Sequence, residues 1–221
     1  MNKKNIIIVG GSYCFNKELW PTQVAENLNL NLIHFGLSGS HWWSIRHFLN
    51  TLTDNQINNS EVIVCCHPYS NTRLALEYKT YKLLKNKEPP EFLEAKRLYF
   101  KHIFNLEYSD WTEICWFKEF SEKFSKLKII NLHSSDTIKN KQYLGGMNVL
   151  PSLTSISNNE MDNGHSDGFY DIRPNHLSIQ NNKILGELII GCILNYKKNT
   201  VYLDTSRFNL ATTKYFKKDM F

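Results

Sequence analysis

Cysteine is scarce and poorly spaced: the 221 residues hold five, an odd number, with Cys65 and Cys66 adjacent and no C-x-x-C. That argues against a disulfide framework and against a thiolate metal site. Cys65 and Cys66 lie in an apolar run and Cys192 in an apolar helical pattern, where free thiols behave as small hydrophobes, so a reducing compartment is expected. Charge of one sign is also lacking. The formal net charge of +5 comes from 26 basic against 21 acidic residues, and the basic residues are scattered rather than gathered on one element, so no nucleic-acid partner is expected. Long hydrophobic runs are absent too. Met1-Asn2-Lys3-Lys4 precedes only a short apolar run, too little for a signal-peptide core. The later stretch Ile184–Leu194 is interrupted by Gly186, Glu187 and Gly191 and is too short to span a bilayer. The expectation is a soluble, cytoplasmic protein without a membrane partner. Neither G-x-x-x-x-G-K-[ST] nor G-x-G-x-x-G occurs, which speaks against a nucleotide cradle.

What is present is an alternation of buried-strand and helical patterns. Asn5-Ile6-Ile7-Ile8-Val9 reads as a strand covered on both faces, as in parallel sheets, and it ends in Gly10-Gly11-Ser12-Tyr13. Further strands are expected at Asn31–Phe35, Glu61–Cys66 and Lys128–Leu132. Helices are expected at about Glu18–Asn29, around Ile45–Leu52, through the polar and aromatic region 74–126, and at Ile179–Tyr196. Ser134–Pro174 reads as one long irregular stretch, and Val201-Tyr202-Leu203 as a short strand or packed chain. At 42% hydrophobic residues the chain can bury one sizeable core. The fold class expected is α/β, a three-layer α/β/α flavodoxin-like sandwich with a central parallel sheet. A single domain over 1–221 is expected, with a helical insertion or cap at about 74–126 and a tail at about 197–221.

Open α/β sheets bind ligands outside the carboxyl ends of their strands. Three such ends are expected near one crevice: Ser12 after the first, Gly39 after the second, and His67 to Asn71 after the third. Ser12 could be a helix cap, a phosphate donor or a nucleophile. Near the carboxyl terminus, Asp171 and His176 precede Ser178, which can N-cap the last helix. A serine hydroxyl needs a base to take its proton, and imidazole titrates in the right range. A carboxylate on the other ring nitrogen fixes the tautomer. The order Ser…Asp…His is therefore compatible with acyl transfer, although the G-x-S-x-G elbow is absent. His41 and Trp42, with Trp43, could line an acyl or sugar pocket, since indoles stack on such faces. Tyr13 is a further substrate-contact candidate. His133 and His165 lie near carboxylates, but their spacing matches no zinc motif, and no metal or cofactor is expected.

These blocks resemble those of the SGNH (GDSL-type) hydrolases. Ile7-Ile8-Val9-Gly10-Gly11-Ser12-Tyr13 is similar to the first block, with Gly11 at the family's Asp. Phe35-Gly36-Leu37-Ser38-Gly39-Ser40 is similar to the second, and His176-Leu177-Ser178 before the final helix to the last. The resemblance implies Ser12 as nucleophile, His176 as base and Asp171 as its orienting carboxylate, and it puts the oxyanion hole on the N–H groups of Ser12 and Gly39. Where the family has Gly-x-Asn-Asp this chain reads Cys66-His67-Pro68-Tyr69-Ser70-Asn71, leaving His67 or Asn71 as a third donor, or a hole of two backbone donors. The family's Asp lies three residues before its His; that position is Arg173 here. The implied function is hydrolysis of an ester, with a small-molecule or glycan ester as substrate: a small acyl group on a carbohydrate or another polar carrier. The alternative is a degenerate member that binds a glycan or protein partner.

Overall fold

A computed structural model describes residues 3–37, 41–68, 94, 98, 102, 105–136, 138, 140–157 and 177–210. Its centre is one six-stranded parallel sheet in the order β2-β1-β3-β4-β5-β6. The strands are β1 (Asn5–Gly10), β2 (Asn31–Gly36), β3 (Ser60–His67), β4 (Lys128–His133), β5 (Met147–Leu150) and β6 (Thr200–Tyr202). Helices are α1 (Trp20–Asn27), α2 (Trp42–Thr51), α3 (Asp54–Asn58), α4 (Leu106–Lys123), α5 (Leu153–Ser157) and α6 (Ile179–Leu194).

The four aliphatic residues of β1 explain why the chain builds around it. Ile6, Ile7, Ile8 and Val9 are all 0% exposed, because β2 and β3 pair with β1 on both edges and helices cover both faces. Alternate side chains supply the two layers. Ile6 and Ile8 join Val62, Val64, Ile130 and Leu132 under α1, α5 and α6. Ile7 and Val9 join Ile63, Cys65 and Ile129 under α2 and α4. The three-layer α/β/α sandwich is therefore the fold of this chain.

Local signals place the helices. Pro21 stands in the first turn of α1, where its missing N–H costs nothing. Asn105 caps α4, its side chain accepting from the N–H groups of Glu107 and Tyr108, and Ser178 caps α6 through the N–H of Asn181. The helical expectation for the end of region 74–126 corresponds to α4. Its Trp116, Phe117, Phe120 and Phe124 are buried against the sheet, so α4 is the crossover layer between β3 and β4.

The expected irregular stretch Ser134–Pro174 is not irregular throughout. It contains a 3-10 turn at Lys141–Tyr143, strand β5 and helix α5. β5 has only four residues, with Asn148 between the buried Met147 and Val149, too short for a periodic pattern to stand out. Gly146 precedes it at φ +95, and a Cβ there would lie 2.5 Å from the Ile129 carbonyl oxygen, so this entry into the sheet requires glycine. Thr200–Tyr202 is a parallel edge strand on β5. No helix among the described residues is long and apolar enough to cross a membrane.

Candidate functional site

The sheet order reverses at β1: the chain goes out to β2 and returns to β3 on the opposite side of β1. That reversal opens the crevice where doubly wound folds bind ligands. Ser12 stands at its edge, as the first residue of a 3-10 turn, Ser12–Cys14, that follows β1 directly.

The turn folds back across the strand ends because two glycines lie beneath it. Gly10 and Gly36 are register partners on β1 and β2. A Cβ on Gly10 would lie 2.6 Å from Cys14 Sγ and 2.7 Å from Cys66 Cβ. A Cβ on Gly36 would fall inside the Cys14 carbonyl and 2.8 Å from Phe15 Cα. The turn is held by its carbonyls: Phe15 N–H donates to Ser12 O at 3.1 Å, Trp20 Nε1 to Tyr13 O at 2.8 Å and His34 Nε2 to Cys14 O at 2.6 Å. Cys14 is 0% exposed, and burial raises its thiol pKa well above the usual range. Ser12 is half-buried. Among the described residues its hydroxyl has no hydrogen-bond partner, so it is held in place by its backbone and left open at Oγ.

The other candidates divide. Tyr13 is buried, and its hydroxyl lies 3.0 Å from Thr154 Oγ1 and 3.0 Å from Ser157 Oγ on α5, so its ring belongs to the interior rather than to a substrate surface. His67 is 1% exposed. Asn131 donates from Nδ2 to Gly145 O at 2.9 Å, which leaves Oδ1 to accept from His67 Nε2 at 2.9 Å. His67 therefore carries its proton on Nε2 and takes the Cys65 thiol on Nδ1 at 3.7 Å. Burial pushes its pKa down to about 4, and Phe117 and Phe120 meet its ring edge-on. Oxyanion donation from this ring would require breaking a buried bond, so the expectation of a His67 donor gives way to a structural role.

His41 begins α2 as its N-cap. Trp42, at 5% exposure, is packed between Trp43, 4.2 Å away by ring centroids, and Trp116, 6.2 Å away. Of this pair it is Trp43 that reaches solvent, 56% exposed, with the Arg46 guanidinium 5.7 Å from its centroid. Arg46 in turn holds Glu119 at 2.9 Å. Gly39, Asn71, Asp171 and His176 lie outside the described residues, as does His165.

The described residues on either side of 158–176 are both held in place. Ser157, the residue before it, bonds Tyr13. Leu177, the residue after His176, is buried in the same core as Tyr13 and Cys14, and its carbonyl accepts from Asn182 Nδ2 at 2.9 Å. A groove of about 270 Å³ runs between α1 and α6, lined by Glu18, Trp20, Gln23, Asn182, Lys183 and Glu187.

Several polar residues of the interior carried no motif. Asn131 sits in a strand otherwise read as apolar. His133 is 0% exposed; among the described residues neither its ring nitrogens nor Asn148 Oδ1 has a partner in hydrogen-bond geometry. Burial, then the nearby His67 and Lys141, pushes its pKa down to about 2. Glu113, 2% exposed, accepts from Asn140 Nδ2 at 3.0 Å, and burial raises its pKa. Among the described residues no group of three or more His, Cys, Asp or Glu could hold a metal ion.

No protein-family model matches the chain, and no curated protein matches it. Solved structures do. One is a provisionally assigned lipolytic protein of the G-D-S-L family from Desulfitobacterium hafniense DCB-2, with 12% identity, 86% of this chain and 99% of that chain covered, and a TM-score of 0.43. A second is a provisionally assigned GDSL-like lipase from Parabacteroides merdae ATCC 43184, with 10% identity, coverage of 91% and 78%, and a TM-score of 0.36. A third, from Streptococcus pneumonia, is provisionally named a platelet activating factor, with 12% identity, coverage of 95% and 72%, and a TM-score of 0.36.

Proposed function

We propose that this chain is a cytoplasmic serine ester hydrolase of SGNH type, removing a small acyl group from a carbohydrate or another polar carrier. The observation that carries the reading is the position of Ser12: at the reversal of strand order, on a turn tied down through its carbonyls, with its hydroxyl unbonded among the described residues. The chemistry follows from the residue types. Ser12 Oγ attacks the acyl carbon while His176 takes its proton, then His176 returns that proton to the leaving alcohol; water repeats the cycle to release the acid. Asp171 orients the imidazole. The N–H groups of Ser12 and Gly39 hold the oxyanion, a contribution of about 3–4 kcal/mol per donor. No cofactor enters.

Ser12→Ala tests this on p-nitrophenyl acetate. Turnover falls to the uncatalysed rate with circular dichroism and melting temperature unchanged; retained turnover removes the mechanism.

A second reading is a non-hydrolytic binder of a glycan or protein on the same fold. It is favoured by His67, which occupies the third block and has its ring committed to Asn131. A fluorophosphonate probe separates the two, since only an activated serine is labelled.

A further inference from the structure

The phenol of Tyr13 ends on two hydroxyls that lie 141 and 144 residues away in the chain, both at 3.0 Å. From there the bonding continues. Thr154 donates through its N–H, at 3.2 Å, and through Oγ1 to the carbonyl of Ser134, and the Ser134 N–H donates to His67 O at 2.9 Å. One hydrogen-bonded path thus leads from the turn after β1, through α5, to the ends of β4 and β3. A phenylalanine would fill the same space. A buried hydroxyl is costly unless bonded, and once bonded it contributes direction more than net stability. α5 is also the last described element before the stretch that carries Asp171 and His176.

We infer that Tyr13 is a positioning residue for Ser12. Its hydroxyl holds the turn in register with α5, and so sets the position of Ser12 relative to the end of α5 at Ser157. This rests on the esterase reading above. In this role Tyr13 acts through Ser12 and the backbone of α5.

The test compares Tyr13→Phe with the pair Thr154→Val/Ser157→Ala, which leaves Tyr13 in place and breaks the same tie from the other side. Hydrolysis of p-nitrophenyl acetate and the rate of fluorophosphonate labelling are measured below the melting temperature of every variant. Misplacing a nucleophile costs rate far more than binding, so kcat and the labelling rate fall about 10-fold or more in each, with KM within about twofold. The triple variant loses no more than either, because groups acting through one tie are not additive. Wild-type kcat and labelling in Tyr13→Phe or in the pair, or losses that simply add in the triple variant, overturn the inference. Ser12→Ala keeps the two claims apart. If it retains turnover, the esterase reading fails whatever Tyr13 does; if it is inactive while Tyr13→Phe is unimpaired, only the role of Tyr13 fails.

Discussion

His67 and His133 stand opposite each other on adjacent parallel strands, ring against ring, with centroids 5.8 Å apart and both side chains buried. Two imidazoles so placed have to remain neutral. Burial lowers the pKa to about 4 for His67 and about 2 for His133, against about 6.5 in an unfolded chain.

The pH dependence follows from that pair. Above about pH 6.5 both states are neutral and the histidines contribute no slope. Below it the unfolded chain binds protons that the folded chain refuses, so stability falls as pH falls, by about 1.4 kcal/mol per pH unit for each histidine. His67 stops contributing near its folded value of about 4, while His133 continues towards about 2. Glu113, raised by burial, works in the opposite sense just above the ordinary carboxylate range. Urea midpoints between pH 7.5 and 5 should decline steeply, and His133→Phe should reduce that slope by about half. A flat profile would show that neither ring is held neutral.

Gly36→Ala should damage both fold and site. The added methyl meets backbone, the Cys14 carbonyl and Phe15 Cα, so no rotamer relieves it. A loss of about 3 kcal/mol or more in denaturant unfolding is expected, at the upper end of overpacking costs. Hydrolysis should fall as well, since the obstructed turn is the one that presents Ser12. Wild-type stability would mean that β2 does not approach the turn as closely as described.

Thiol chemistry offers an independent reading of the core. All five cysteines are free; Cys115 is exposed and Cys14, Cys65, Cys66 and Cys192 are buried. Burial raises the pKa of Cys14, Cys65 and Cys192, and a buried thiol reacts slowly. An aromatic disulfide reagent should titrate one thiol per folded chain and five after denaturation, with the fast one abolished by Cys115→Ser. Rapid reaction of two or more would open the core assigned here.

The tie between Tyr13 and α5 could not be seen in advance, although the turn that carries it could. The glycine pair before Ser12 is a local signal, readable because a sharp strand-to-turn change needs those residues. The partners of Tyr13 are a threonine and a serine with nothing in their neighbourhood to distinguish them, chosen by where α5 packs. Trp42 and Trp43 make the same point on the opposite face. Adjacent in sequence and chemically identical, they part into a buried and an exposed ring because a helix turns about 100° per residue and α4 covers only one side.

The sequence by itself determined the layers: Ile6 to Val9, Val62 to Cys66, and Ile129, Ile130 and Leu132 put apolar residues on both faces, and only a parallel sheet with helices above and below buries both. It also determined the places of Ser12, Pro21 and Ser178, whose turn and cap chemistry is local. Only the tertiary structure decided that Met147–Leu150 is a strand, that His67 turns inward to Asn131, and that the Tyr13 hydroxyl ends on Thr154 and Ser157 of α5. Each of those depends on a partner far along the chain, and contacts at that separation leave no periodic trace in the residues that make them.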